Sequence, residues 1–302
     1  MPEQFTSSTE GRIYRELGDA LSGMVESFSF TSLAEKILST EGGAAVQTLS
    51  DAGRAVLVRR ALEELQDNVH YYHRHRRSAA FCQMAAQTID ELKSAGLSGQ
   101  QLAQLAGACG AESGKLSELA LIFQGYETLL ARSGMDPSDR LELAGARLEE
   151  ALARHSLPEF LRDRAVFIDE FDTFNAPKKR LLGAMLAALP SVTVALCDDG
   201  APLLPGDLSL FSGAKQVAAQ LRQLARKNGA EVAVPQLLRK DLRHRNAPGL
   251  AAVAELLETG SCTADAPAGE VRLFAAPSRE EEARAAAGAI RRLMRQGVRC
   301  GK

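Results

Sequence analysis

Four apolar residues, Ala165-Val166-Phe167-Ile168, stop abruptly at Asp169-Glu170. The run is too short for a buried helix and long enough for a buried strand. It follows a stretch, residues 51 to 155, in which every segment reads as helix. After it the pattern alternates. A helix is expected over Pro177–Leu189, a strand over Val192–Cys197, a helix over Leu210–Lys227 and a short strand over Glu231–Val234. A helix at Pro248–Leu257, a strand at Val271–Phe274 and a helix at Arg279–Arg295 follow. Such alternation implies a parallel sheet with crossover helices. Ahead of the helical stretch lie a helix over 9–21, a strand over Val25–Phe30 and a helix capped by Thr31 or Ser32. The expected fold class is α/β, with a large all-helical insertion.

Periodicity assigns the helical faces. Ile13, Leu17, Ala20 and Leu21 share one face of the first helix, and Leu33, Ile37 and Leu38 one face of the second. Asp51–Gln66 is expected to bury Val56, Leu57, Ala61, Leu62 and Leu65. Ala79–Ala95 offers Met84, Ile89 and Leu92, and Lys115–Arg132 offers Leu119, Ile122, Phe123, Tyr126 and Leu130. Asp136-Pro137 opens the next helix, with Pro at the first helical position. Thr259–Gly269 is rich in small residues and reads as a linker.

Bulk properties exclude some classes. Across 302 residues the net charge is −2, so a basic surface has to be local. No apolar run approaches a membrane span, and the polar start MPEQFTSSTEGR is not a signal peptide. Cys82, Cys109, Cys197, Cys262 and Cys300 are scattered without a CxxC pair, which argues against zinc and iron–sulfur sites and fits a cytoplasmic location. Both ends read as cut from a longer chain.

The strand ending in Asp169-Glu170 has the form of a Mg²⁺-binding strand in a nucleotide site. Asp169 would hold the metal and Glu170 would polarise an attacking water; the competing reading is a loop cap after a core strand. The next strand also ends in acids, Asp198-Asp199. A phosphate loop of the form G-x-x-x-x-G-K-[ST] should partner them. The nearest match, Gly110-Ala111-Glu112-Ser113-Gly114-Lys115-Leu116, has Cys109 where the first Gly belongs and Leu116 in place of the hydroxyl, and it follows a helix. It reads as a helix–helix turn.

His70-Tyr71-Tyr72-His73-Arg74-His75-Arg76-Arg77 is the one concentrated basic–aromatic patch. Cationic side chains neutralise phosphates and aromatic rings stack on bases, so the patch leans towards nucleic acid. The competing reading is a solvated helix end. A second basic stretch, Leu238–Asn246, could touch phosphates or simply precede a helix capped by Asn246. Glu280-Glu281-Glu282 reads as a helix N-terminus stabilised by the dipole.

Taken in order, these pieces resemble the helicase-like region of the AddB family, subunits of bacterial helicase–exonucleases. Pro2–Thr6 with Glu10 is similar to the segment after that family's first strand and phosphate loop. Val25–Ala34 resembles the T-F-H-S-L box of UvrD-type helicases. Leu119–Phe123 with Tyr126, then Met135–Asp139, resembles the "L-D-x-x-D-L" helix ahead of the Mg²⁺ strand. Phe167–Phe171 matches motif II, Val192–Asp199 sits at motif III, and His244-Arg245 sits at motif IV. Val271–Arg295 resembles the start of a second motor domain.

The resemblance implies a RecA-like sheet of the P-loop NTPase type, without its first strand and phosphate loop, which would lie upstream. It implies domains at 1–47 and 161–265 (RecA-like), 48–160 (helical insertion) and 266–302 (start of the second motor). It assigns Asp169 and Glu170 to a Walker B-like site, vestigial in many members, with Asp169 on Mg²⁺. Gln4, Asp198 and Arg245 would face nucleotide. Phe30 and Thr31, with the patch residues His73, Arg74, Arg76 and Arg77, would face DNA. Motif III departs from active helicases in lacking a Gln after its acidic pair, where the chain reads Gly200-Ala201-Pro202. The implied function is DNA double-strand break repair and recombination, beside an AddA-type helicase–nuclease subunit and without membrane contact. ATP and Mg²⁺ would serve the full-length parent, and neither is expected in this fragment. Two alternatives stay open: a truncated active superfamily-1 helicase motor, and a helical interaction scaffold with no nucleic-acid role.

Overall fold

Capping chemistry sets the helix starts. In the computed structural model, which describes residues 2, 6–43, 45, 47–238, 244, 246–261 and 271–299, Ser29 rather than Thr31 or Ser32 caps the second helix. Its hydroxyl accepts the Ser32 N–H at 3.0 Å while the Ser32 hydroxyl accepts the Ser29 N–H at 2.8 Å. This reciprocal box draws Phe30 into the helix and ends the strand expected over Val25–Phe30. Residues 25–29 run on without a sheet partner.

The chain divides into two compact units, Met1–Val234 and Pro235–Lys302. The first holds α1 (Thr6–Ser22), α2 (Phe30–Glu41), α3 (Asp51–Glu64), α4 (Ala79–Ser94), α5 (Gly99–Ala106), α6 (Ser113–Ser133) and α7 (Pro137–Ala153). Then come β1 (Ala165–Ile168), α8 (Ala176–Ala188), β2 (Ser191–Val194) and α9 (Ser212–Lys227). The second unit holds α10 (Pro248–Thr259) and α11 (Arg279–Arg295). In α11, Glu280, Glu281 and Glu282 fill the first turn and Arg292 and Arg295 the last, complementing the dipole at both ends.

β1 and β2 pair in parallel, with Ala165 opposite Ser191 and Ile168 opposite Val194, so both expected strands belong to one sheet. Among the described residues the sheet has two strands. Glu231–Val234 and Val271–Phe274 form none; Val234 and Leu273 are 91% and 99% exposed. β-branched composition alone does not make a strand where no neighbour supplies the ladder. The sheet is also covered on one face only. Val166, Ile168, Val192 and Val194 join the core, whereas Phe167 is 73% exposed. The buried strand expected from the run Ala165–Ile168 is thus buried on one face.

Two apolar clusters lie in the first unit. One gathers α2, α7, α8 and the covered sheet face around Ile37, Leu38, Leu148, Leu181 and Leu182. The other gathers α3 to α6 around Val58, Leu62, Ile89, Ile122 and Phe123. Val58 takes the buried place expected of Val56, and Met84 is exposed. α5 and α6 approach closely at Gly99, where a Cβ would lie 2.7 Å from the Gln124 Cγ. Residues 137–153, grouped by sequence with the helical block, pack against α2 and α8 instead. The chain enters and leaves the second cluster at one place: Thr48 bridges Met135, with Leu49 N–H donating to Met135 C=O at 3.0 Å.

At that junction sits a buried polar network. Asp136 is 1% exposed; it accepts from the Tyr126 hydroxyl at 2.6 Å and from Lys93 Nζ at 2.9 Å. Lys93 also reaches Asp139 at 2.7 Å. Burial raises the Tyr126 hydroxyl, and the hydrogen bond to Asp136 raises it further. Burial pulls Lys93 down, but its two carboxylates together hold it above its ordinary value. Burial raises Asp139 by more than Lys93 lowers it.

Removing Asp136 leaves a buried ammonium half-paired, so Asp136→Ala is expected to cost about 3–5 kcal/mol and Tyr126→Phe about 1–2 kcal/mol in urea unfolding. Folded-state values raised at Tyr126 and Lys93 mean their contribution is complete below their ordinary values, 10.0 and 10.5, and is lost as pH rises through the folded ones. Stability measured against pH should therefore fall on the alkaline side above about pH 10. A Lys93→Met/Tyr126→Phe double variant should flatten that fall.

Candidate functional site

A parallel pair leaves the residues after its strands at one edge, and β1 and β2 do so with Asp169-Glu170 and Asp198-Asp199. The four carboxylates are not equivalent. Asp169 Oδ1 accepts the Glu170 N–H at 2.9 Å, and Asp169 is exposed. Glu170 is exposed and holds φ at 65°, a left-handed conformation unusual for a residue with a side chain. Asp198 Oδ1 accepts the Gly200 N–H at 2.9 Å, closing a local turn.

Asp199 is committed elsewhere. Its Oδ1 accepts the Ala201 N–H at 2.8 Å and its Oδ2 lies 3.0 Å from Lys215 Nζ. Lys215, 5% exposed, also lies 3.4 Å from Asp207 and 3.3 Å from the Ser209 hydroxyl. Asp199 holds Lys215 above its ordinary value; the Ala201 N–H and Lys215 hold Asp199 below its own. Sequence reading missed this clamp. A signal was present: a lysine in the first turn of α9 opposes the helix dipole and needs carboxylates nearby.

The chemistry of this edge fits a single carboxylate, Asp169, on a Mg²⁺ ion carried by a polyphosphate. It does not fit a nucleotide held by the described residues alone. No group of three or more His, Cys, Asp or Glu suited to a metal occurs among them. The Gly110–Glu112 segment is a 3-10 turn between α5 and α6, as the sequence suggests, and cradles no phosphate between a strand and a helix. Gln4 and Arg245 lie outside the described residues. Phe30 needs correction. It is 8% exposed, its ring edge-on to Phe171 at 5.1 Å and to Phe174 at 6.1 Å, which gives that ring to the core and not to a nucleobase. Thr31 beside it is exposed.

The basic patch lies in the connection between α3 and α4 as a 3-10 turn, His73–His75, and not on a helix end. His73, Arg74 and Arg77 are exposed. Elsewhere on α3, Arg59 and Arg60 pair with Glu63 and Glu64. Among the described residues no ion pair joins Arg74, Arg76 or Arg77 to a carboxylate; Arg76 Nη1 sits 2.8 Å from the His73 ring nitrogens. Tyr71 is 55% exposed, with Lys115 Nζ 5.2 Å from its ring centroid. The turn thus presents unpaired guanidinium groups beside an accessible aromatic ring.

Comparison with known proteins shows the family. The family described as "ADDB, N-terminal" matches residues 1–254. The B subunit of the ATP-dependent helicase/deoxyribonuclease of Desulforudis audaxviator is 33% identical over 98% of this chain and 26% of its own length. The proteins of the same name in Symbiobacterium thermophilum and Moorella thermoacetica are each 32% identical over the same shares. The chain belongs to the AddB N-terminal family. It spans about a quarter of the length of the curated relatives it matches.

Two outcomes follow from the sheet edge. Left-handed backbone costs a residue with a Cβ on the order of 1 kcal/mol, so Glu170→Gly should raise stability by up to about that amount in chemical denaturation. Lys215→Met should unfasten the loop from Asp199 to Ser209, measured as faster protease cleavage within it than in the parent chain.

Proposed function

We propose that this chain is the DNA-contacting N-terminal part of the B subunit of an ATP-dependent helicase/deoxyribonuclease acting in double-strand break repair and recombination. Membership of the family supports the setting. The observation that carries the contact is the α3–α4 turn: three guanidinium groups without carboxylate partners among the described residues, beside the exposed Tyr71 ring. Arginines that serve only solubility pair readily with nearby acids, as Arg59 and Arg60 do. Single-stranded DNA supplies phosphates for Arg74, Arg76 and Arg77, with His73 alongside, and a base face for Tyr71. Thr31 would contribute from the other cluster.

In this reading residues 48–160 are the helical insertion, of which α7 is the part that packs on α2 and α8, 1–47 and 161–265 belong to a RecA-like domain, and 266–302 open a second motor domain. Asp169, Glu170 and Asp198 mark the nucleotide edge of that domain, joined by Gln4 and Arg245. ATP and Mg²⁺ belong to the whole protein, as does an AddA-type partner subunit. The cytoplasm is the proposed location, and no described helix is long and apolar enough to cross a membrane.

Fluorescence anisotropy with labelled oligo-dT tests the contact. Binding should be salt-dependent, and Arg74→Ala/Arg76→Ala/Arg77→Ala should weaken it by about tenfold or more and flatten the log–log salt slope by about 2, three phosphates at ~0.7 each. Unchanged binding would return the turn to a solvated surface and favour the scaffold reading. For nucleotide, the 302-residue chain should show neither ATP turnover nor stabilisation by ATP·Mg²⁺ in thermal shift. Turnover by this chain would place the phosphate site elsewhere in it.

A further inference from the structure

Beneath the basic turn lies an acidic side chain that no charge argument would put there. Glu118, on α6, directs its carboxylate into three consecutive backbone N–H groups. Oε1 accepts from His70 at 2.9 Å and Tyr71 at 2.8 Å; Oε2 accepts from Tyr71 at 2.9 Å and Tyr72 at 3.1 Å. Successive N–H groups converging in this way form an anion-binding nest, and here the chain fills it with its own carboxylate. Partial burial alone would raise the Glu118 carboxyl, but the N–H bonds from Tyr71, His70 and Tyr72 outweigh it and hold it below its ordinary value. The turn it grips continues directly into the basic residues. His75 N–H donates to Tyr72 C=O at 2.9 Å, and Tyr72 packs its ring 5.3 Å from Phe81 of α4.

We propose that Glu118 is a positioning residue for DNA: its carboxylate locks residues 70–72 so that Arg74, Arg76, Arg77 and Tyr71 are presented in a fixed geometry to the phosphates and base of a single strand. The inference rests on the DNA reading above. Its sign is what separates it from simple electrostatics. Removing a negative charge next to a cationic patch strengthens attraction for a polyanion. Removing a lock means that ordering the turn must be met at binding, which weakens it. The three backbone donors keep the carboxylate ionised, but a single charge at this solvent-facing position is screened by water and salt, so the loss of order dominates.

The test is anisotropy with oligo-dT on the 302-residue chain carrying Glu118→Gln, Glu118→Asp, the triple arginine variant, and the triple variant combined with Glu118→Gln. Glu118→Gln is expected to bind about three- to tenfold more weakly despite its lost negative charge, an entropic cost of about one loosened residue. Glu118→Asp, which keeps a two-oxygen acceptor, should recover part of the loss. Added to the triple variant, Glu118→Gln should cost less than in the parent chain, because three of the four groups it positions are gone and Tyr71 alone remains. A purely structural role would leave DNA affinity at the parent value or add the same loss in both backgrounds. Tighter or unchanged binding by Glu118→Gln, with the triple variant still defective, overturns the positioning role. Unchanged binding by the triple variant overturns the DNA reading instead. Should Glu118→Gln fail to fold, hydrogen exchange on the parent chain decides: the amides of 70–72 should be protected before DNA is added, and rapid exchange there in the free protein refutes the lock.

Discussion

Asp136 sits where the chain leaves one apolar cluster and enters the other, and both clusters depend on how that carboxylate is satisfied. Tyr126 reaches it from the core of α6, Lys93 from the last turn of α4, and the residue itself stands at the N-terminal boundary of α7. Three helices are thereby held at one point by partners of fixed direction, where apolar packing alone would allow sliding. Arg54 of α3 extends the arrangement through Asp90, which also takes the Ser138 hydroxyl at 2.9 Å. A carboxylate this buried is costly unless each lone pair finds a donor. The return is a defined angle between the helical cluster and the segment that leads into β1.

That angle matters because the two clusters carry different chemistry. The sheet edge offers carboxylates, three of them engaged with backbone N–H groups and one of those three also held by a buried lysine. The helical cluster offers guanidinium groups and an aromatic ring. Neither is a complete site for ATP. A polyphosphate needs donors around it, whereas the sheet edge supplies acceptors, so that edge can address a nucleotide only through a metal.

The sequence made the order of elements legible because each helix carries its own signals. Pro137 after Asp136, Ser78 before Ala79 and Ser278 before Arg279 mark helix starts within the chain itself. Parallel pairing of β1 and β2 followed from strand–helix–strand alternation, a rule of connection that needs no tertiary detail. Strands 231–234 and 271–274 were over-read for the opposite reason: a strand is a property of two segments, and composition describes only one. Phe30 was misplaced because the Ser29–Ser32 box shifted the helix start and turned that ring towards Phe171 and Phe174. The basic patch was legible as composition, but its shape was not. Glu118 lies 46 to 48 residues from the amides it binds, and nothing local to either segment announces the contact.

A cationic surface that binds a polyanion faces two demands that pull apart. Like charges crowded in one turn repel, which favours an extended, mobile segment; recognition of a flexible single strand favours a rigid one, since two mobile partners both lose entropy on meeting. In the proposed DNA-contacting role, adding acids beside the arginines would relieve the repulsion but cancel the charge offered to a phosphate backbone. Glu118 offers a different solution. Its oxygens accept from backbone N–H groups rather than from guanidinium groups, so it orders the turn without pairing with Arg74, Arg76 or Arg77. Rigidity and positive charge are then supplied by separate atoms, backbone for one and side chain for the other, and each can be strong without weakening its neighbour.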